Sequence, residues 1–317
     1  MRPNIIREPQ LISPLRALVI VFTIMVSGQM TGRAGEPPLH AGATEAIAMT
    51  NAFFAMDTGT KGSPEVVAAM LGDVGYAGLG GSGYSIKPMR QALEARGLKL
   101  FNVYLTLKFD PTNSALTPAM RQLITDLDGS GSALWLALDK VSDGGPPLAP
   151  SSSGGDAVAL LRLRELADYA GPRGVKIALY PHTGFWLERT SDAVRLADKL
   201  NRAGVGVTFN LCHWLKVEGD GDPEPTLRAA LPRLLFVSIN GADGGDTRKM
   251  GWNQLIQTLD RGNYEVGTLL QTLRRLGYTG PIGLQAYGVG GDSRENLIRS
   301  WDAWRRFAGA APGPQIR

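Results

Sequence analysis

Eight short apolar runs of β type recur along this chain, separated by segments of helical periodicity. The runs are AFFAM (52–56), YAGLG (76–80), LKLFNVYL (98–105), ALWLAL (133–138), VKIALY (175–180), VGVTFN (205–210), LLFVSI (234–239) and IGLQAY (282–287). Between them lie amphipathic stretches such as SPEVVAAMLGDV and SDAVRLADKLNRAG, which begin at a capping Ser and end near Gly. Strict alternation of this kind means parallel βαβ units, in an open doubly wound sheet or in a closed barrel. The count of eight, and the absence of a dinucleotide-type glycine turn after the first run, favour a (β/α)8 TIM barrel of the α/β class. The glycines of GLGGSGY (78–84) follow the second run and lack a full GxGxxG, so they read as a flexible βα loop. The stretch SDGGPPLAPSSSGGD (142–156) falls on the strand-to-helix side, where active-site lids sit.

With 317 residues, 44% of them apolar, the chain can bury one large core. Its net charge of +4 comes from scattered basic residues, without a basic stripe and interleaved aromatics, so a nucleic-acid partner is not expected. The first 35 residues carry Arg2, Arg7 and Arg16, then an apolar stretch from Ala17 to Val26, then small residues. That is the form of a secretory signal peptide, and its apolar part is about half the ~20 residues of a spanning helix. The expected organisation is a signal peptide and linker at 1–35 and one barrel domain at 46–310. Membrane contact is expected only through the signal segment, and the location is periplasmic or extracellular. Cys212 is the sole cysteine, so no intramolecular disulfide can brace the exported protein.

A barrel of this kind carries its chemistry at the C-terminal ends of its strands. That rule selects Asp57 after the first run, Tyr104 and Lys108 on the third, and Asp139 and Lys140 on the fourth. The fifth offers Tyr180, His182 and Trp186, and the sixth Asn210, His213 and Trp214. The seventh and eighth offer Ser238, Asn240, Gln285 and Tyr287. Two of the chain's three histidines fall in this ring, and His182 and His213 read as proton-transfer groups near neutral pH. Lys140, oriented by Asp139, reads as a cation for a developing oxyanion, although the two also fit a surface ion pair. Lys108, Asn210, Asn240, Gln285 and Tyr180 read as substrate contacts, with Trp186, Trp214 and Trp252 as stacking surfaces for sugar rings. Each tryptophan equally suits a packed core, and His182 equally suits a turn. Glu188 reads as a solvated acid at a helix start and Cys212 as a packing residue.

The order of elements and the strand ends resemble the xylose isomerase-like TIM barrels, a group that includes sugar-phosphate isomerases, ketose 3-epimerases and endonuclease IV. The resemblance runs from about Asn51 to Gly309. It rests on GYAGLG at the second strand, FNLCHWL at the sixth and RRLGYTGPIGLQAYG at the last. It implies a divalent metal held by Glu, Asp, His and Glu at the ends of strands five to eight. Those positions are Tyr180, Asn210, Ser238 and Gln285 here, so no standard metal site, and no confident cofactor, is expected. The histidine of the family's D-x-x-H segment is retained as His213.

Two functions follow as expectations. One is an exported isomerase or epimerase, or a lyase, moving a proton next to the carbonyl of a sugar without the standard metal site. The other is a carbohydrate-binding barrel that has lost the chemistry. In both, the partner is a small-molecule carbohydrate.

Overall fold

A computed structural model describes residues 48–82 and 85–309, so the expected signal peptide lies outside the described residues. The eight barrel positions are β1 (Phe53–Met56), β2 (Gly78–Gly80), β3 in two pieces (Lys99–Leu100 and Asn102–Phe109), β4 (Ala133–Val141), β5 (Lys176–Leu179), β6 (Val205–Asn210), β7 (Leu234–Ile239) and β8 (Ile282–Gln285). Every neighbouring pair is parallel, and β1 lies between β2 and β8, with Phe53 opposite Ile282 and Met56 opposite Gln285. Nine strand segments fill eight positions because β3 breaks at Phe101. On one side the amides of Lys99, Phe101 and Tyr104 donate to the carbonyls of Ala77, Leu79 and Gly81; on the other, Asn102–Phe109 pairs with β4. Those bonds close the sheet.

Each of the eight expected runs became a strand, with ends moved by a few residues. β4 runs on to Val141, and β8 stops at Gln285, leaving Tyr287 outside the sheet. Helix ends follow the expected caps only in part: the helix Thr190–Leu200 starts at Arg189 rather than the expected Ser191 and ends on Asn201 (φ 44°) rather than at Gly204. The helix Pro64–Val74 starts with Pro64 in its first turn and Ser63 accepting from the Val66 amide, and ends on Gly75 at φ 112°. Only glycine reaches that backbone angle without strain.

Alternation along the strands sorts the core into two sets. Phe53, Ala55, Leu134, Leu136, Ile177, Leu179, Val237 and Ile282 face outward and pack under the helices. Phe54, Met56, Trp135, Ala178, Tyr180 and Phe236 face inward and fill the barrel. The filling is aromatic: Trp135 stacks on Tyr180 (3.9 Å between ring centres) and Phe54 on Phe101 (4.3 Å), while Phe236 meets Trp135 edge-on. Such bulk fits only because other inward positions are small. A Cβ at Gly283 would lie 2.1 Å from Met56 Sδ and 2.8 Å from Phe54 Cζ. Two polar intruders pair in a chain, with Trp135 Nε1 donating to Thr208 Oγ1, which donates to the Leu179 carbonyl. The barrel interior is therefore a solid aromatic plug lying below its C-terminal mouth.

The loop at 142–156 is fastened rather than hinged over that mouth. The Leu148 amide donates to the Val141 carbonyl, the Ser151 amide to the Trp186 carbonyl, and Ser151 Oγ to Asp192 (2.6 Å).

Candidate functional site

Above the aromatic plug lies a cavity of about 460 Å³, lined by Asp57, Ser82, Tyr104, Tyr180, His182, His213, Trp252, Asn253, Ile256, Gln285, Tyr287 and Gly288. Strand ends and the loops after them supply these residues, from seven of the eight barrel positions, all but β4.

His182 sits two residues after Tyr180 in a tight turn, in which its amide donates to the Leu187 carbonyl and the Phe185 amide donates to its own carbonyl. Phe185 stacks on its ring at 4.0 Å. His213 arrives differently. β6 ends at Asn210, which caps the helix Leu211–Glu218, so the residue expected on a strand stands in the first helical turn. The Asn210 side-chain oxygen accepts from the His213 amide (3.2 Å) and from Cys212 Sγ (3.0 Å), while its nitrogen donates to the Tyr180 hydroxyl (3.3 Å). Asn210 therefore positions His213, and its polar atoms are already engaged.

The two imidazoles lie 4.1 Å apart, centre to centre. Their partners settle their tautomers. His182 Nδ1 meets the Thr183 carbonyl at 3.1 Å, and a carbonyl only accepts, so Nδ1 carries the proton and Nε2 a free lone pair. His213 Nδ1 accepts from the Thr183 amide (3.3 Å) and contacts its hydroxyl (3.0 Å), so in the neutral ring Nε2 carries the proton. Burial pulls the pKa of both rings below the ordinary 6.5, and the nearby His182 lowers His213 further. One ring thus offers an acceptor and the other a donor, both neutral near pH 7.

Among the described residues, Asp57 is the only carboxylate of the lining. Its φ of 43° places a non-glycine residue in the left-handed region, which Asp visits at some strain. The Ser82 amide donates to its carboxylate (3.1 Å), and Gly81 leaves no room for a side chain, since a Cβ there would fall 2.3 Å from Asp57 Oδ1. Burial raises its pKa, with the Ser82 hydrogen bonds opposing. Asp57 follows β1 and His182 follows β5, positions four apart in a ring of eight, so the two groups stand on opposite walls.

The positions at which the resemblance implies a metal do not fit one. Tyr180 is stacked on Trp135, and burial pushes its phenol well above the ordinary 10, so it stays neutral. Asn210 is engaged as above, and Ser238 and Gln285 supply no charge. Neutral oxygens alone lack the attraction that offsets dehydration of a hard divalent cation. Among the described residues, no three His, Cys, Asp or Glu side chains come together in a way that could hold a metal. Two atoms at these positions, Ser238 Oγ and Gln285 Oε1, are buried without a protein partner.

Several expected site residues lie elsewhere. Trp186 (2% exposed) packs against Val141 and Gly155, and Trp214 (6%) packs beside Phe209. Both are core residues rather than stacking surfaces. Asn240 is fully buried, and its amide donates to the carbonyls of Gly241 and Leu255. Lys108 and Lys140 sit opposite each other where β3 and β4 run on past the last pairing with β5, so this two-stranded ribbon carries both into solvent. Lys108 meets Asp139 at 3.6 Å, and none of the three lines the cavity. Glu188 accepts from the Gly184 amide and so holds the His182 turn. Cys212 is buried, its thiol pushed up to about 12 by burial, and is no nucleophile. The aromatics that do reach the mouth are Tyr104, Trp252 and Tyr287; Trp252 approaches His213 edge-on at 5.2 Å. Trp252 lies in a loop helix after β7, and no strand end marked it.

The family description "xylose isomerase-like TIM barrel" matches residues 77–306. Three solved structures give the scale of the likeness. The IOLI protein with a binding zinc atom aligns with TM-score 0.63 at 13% identity, over 81% of this chain and 98% of that one. D-allulose 3-epimerase from Methylomonas sp., in complex with D-allulose, aligns with TM-score 0.60 at 16% identity, over 82% of this chain and 99% of its own. The 3-keto-D-glucoside 4-epimerase YcjR from E. coli gives 0.60 and 16%, over 81% and 99%. At these identities the likeness establishes the fold. No curated protein matches the sequence significantly.

Proposed function

The chain belongs to the xylose isomerase-like TIM barrel family, and on that premise we propose that it isomerises or epimerises a sugar or sugar derivative by proton transfer next to a carbonyl. The observation that carries this reading is the complementary pair of imidazoles on one wall, facing a lone carboxylate on the other. His182 Nε2 takes the proton from the carbon beside the carbonyl, and the electron pair moves onto the carbonyl oxygen. His213 Nε2–H donates to that oxygen as it gains charge, a role that requires a ring kept neutral by burial. Return of the proton from His182 to the former carbonyl carbon, with the hydroxyl proton moved between the two oxygens, gives the aldose–ketose isomer. Protonation of the original carbon from the opposite face by a water held at the Asp57 carboxylate, with the proton on His182 passing to the hydroxide left behind, gives the epimer. Base removal in such steps contributes ~10²–10⁴-fold.

The test is incubation with ketoses and aldoses in deuterated water. Deuterium should enter at the carbon adjacent to the carbonyl, and His182→Gln should abolish the exchange. Binding with no exchange in the parent protein would refute the catalytic reading. It would favour the second reading, a carbohydrate-binding barrel, which the neutral side chains at Tyr180, Asn210, Ser238 and Gln285 support.

We also propose export, resting on the composition of residues 1–35. N-terminal sequencing of the mature protein should find a start between residues 28 and 36, and an intact Met1 would refute it. Among the described residues, no helix is long and apolar enough to cross a membrane.

A further inference from the structure

The cavity's charge and hydrogen-bond polarity narrow the substrate further, given the sugar reading above. We propose that the substrate is an uncharged sugar, carrying neither phosphate nor carboxylate. Among the described residues, no lysine or arginine lines the cavity, and the one formal charge there is the Asp57 carboxylate. Beside the His213 Nε2–H that serves the carbonyl oxygen, the cavity offers unpaired acceptors: Gln285 Oε1, 5% exposed as a residue, and the free lone pair of His182 Nε2. Sugar hydroxyls can donate to all of these, whereas a phosphate dianion only accepts.

The two places where a TIM barrel most often takes a phosphate carry carboxylates or amides that are already bonded. These are the loops after the last two strands and the helix starts beside them. After β8, the helix Ser293–Phe307 is capped by Asp292, which accepts from the Glu295 amide at 2.9 Å, and Glu295 adds a second carboxylate in the first turn. After β7, the amide of Gly251 is bonded to Gln254 Oε1, and those of Gln254 and Leu255 to the Gly251 carbonyl. The mouth is instead flanked by Trp252 (43% exposed) and Tyr287 (70% exposed), faces that suit the C–H side of an uncharged ring.

Like charges roughly 8 Å apart at an effective dielectric near 20 differ from a neutral pair by about thirtyfold in affinity. The experiment is calorimetric titration of the purified protein with matched probes: ketohexoses, aldohexoses and ketopentoses, each against its terminal phosphate ester, and aldohexoses against their uronates. The neutral member should bind at least about tenfold tighter, and Asp57→Asn should narrow the gap. Equal or tighter binding of the charged member, or a gap unmoved by Asp57→Asn, would overturn the inference while leaving the sugar reading in place. Failure of every probe to bind would overturn the sugar reading itself, and the inference with it.

Discussion

Replacing Gly81 by alanine should disturb the site by displacing the Asp57 carboxylate. Gly81 has φ 106°, and an added Cβ would fall 2.3 Å from Asp57 Oδ1 and 3.0 Å from the Asp57 amide nitrogen. Two effects add. A side chain in the left-handed region costs ~1–2 kcal/mol. The new methyl also displaces the carboxylate that accepts from the Ser82 amide at 3.1 Å, and a hydrogen bond to a charged group is worth ~1.5–3 kcal/mol. The sum is about 2.5–5 kcal/mol. Gly59→Ala provides the internal control, because Gly59 has φ 66° with nothing within 4 Å of its Cβ. It should show the backbone cost alone, ~1–2 kcal/mol. Urea unfolding of the two variants should therefore differ by roughly 1.5–3 kcal/mol, or about 3–12 °C in Tm for a domain of this size. If the two lose equal stability, the Asp57 carboxylate is not where its contacts place it, and the opposed-wall arrangement fails with it.

Three further outcomes are expected. Between the depressed pKa values of His182 and His213 and the ordinary 6.5, the unfolded chain holds more protons on these rings than the folded one. Stability therefore rises with pH up to about 6.5 and is lost as pH falls through that window; His213→Gln should flatten this slope, and an unchanged slope would refute the assignment. Nitrogen-15 spectra near pH 7 should show His182 protonated on Nδ1 and His213 on Nε2, and the reverse pattern would remove the acceptor–donor pair. Trp252→Ala should weaken binding of a neutral sugar by about 0.5–1.5 kcal/mol, whereas Trp186→Ala should cost ~3–5 kcal/mol of stability, and an exchange of those effects would reverse their placement.

The barrel was legible in the sequence because periodicity is a local property. Apolar runs of period two, separated by capped amphipathic segments, leave few closed solutions, and Ser63, Pro64 and Gly75 act within their own turns. His182 and His213 were legible for a related reason, since strand ends are where barrels place chemistry and the chain has few histidines. The rest depended on long-range packing. Trp186 and Trp252 look alike as letters, yet one meets Val141 and Gly155 in the core and the other stands over His213. Lys108 and Lys140 follow strands, as a site residue should, but their ribbon outruns its neighbour and leaves them in solvent.

The sequence by itself therefore determined the fold class, the strand ends that form the mouth, and the neutral residues at the four positions where the family resemblance implies a metal. Tertiary structure alone decided which side chains share the cavity, because that choice is made by contacts between residues far apart in the chain. Thr183 selects opposite tautomers for two histidines 31 positions apart. Closing the ring sets Asp57 across from His182, a relation set by hydrogen bonds between β1 and β8 and along the rest of the sheet.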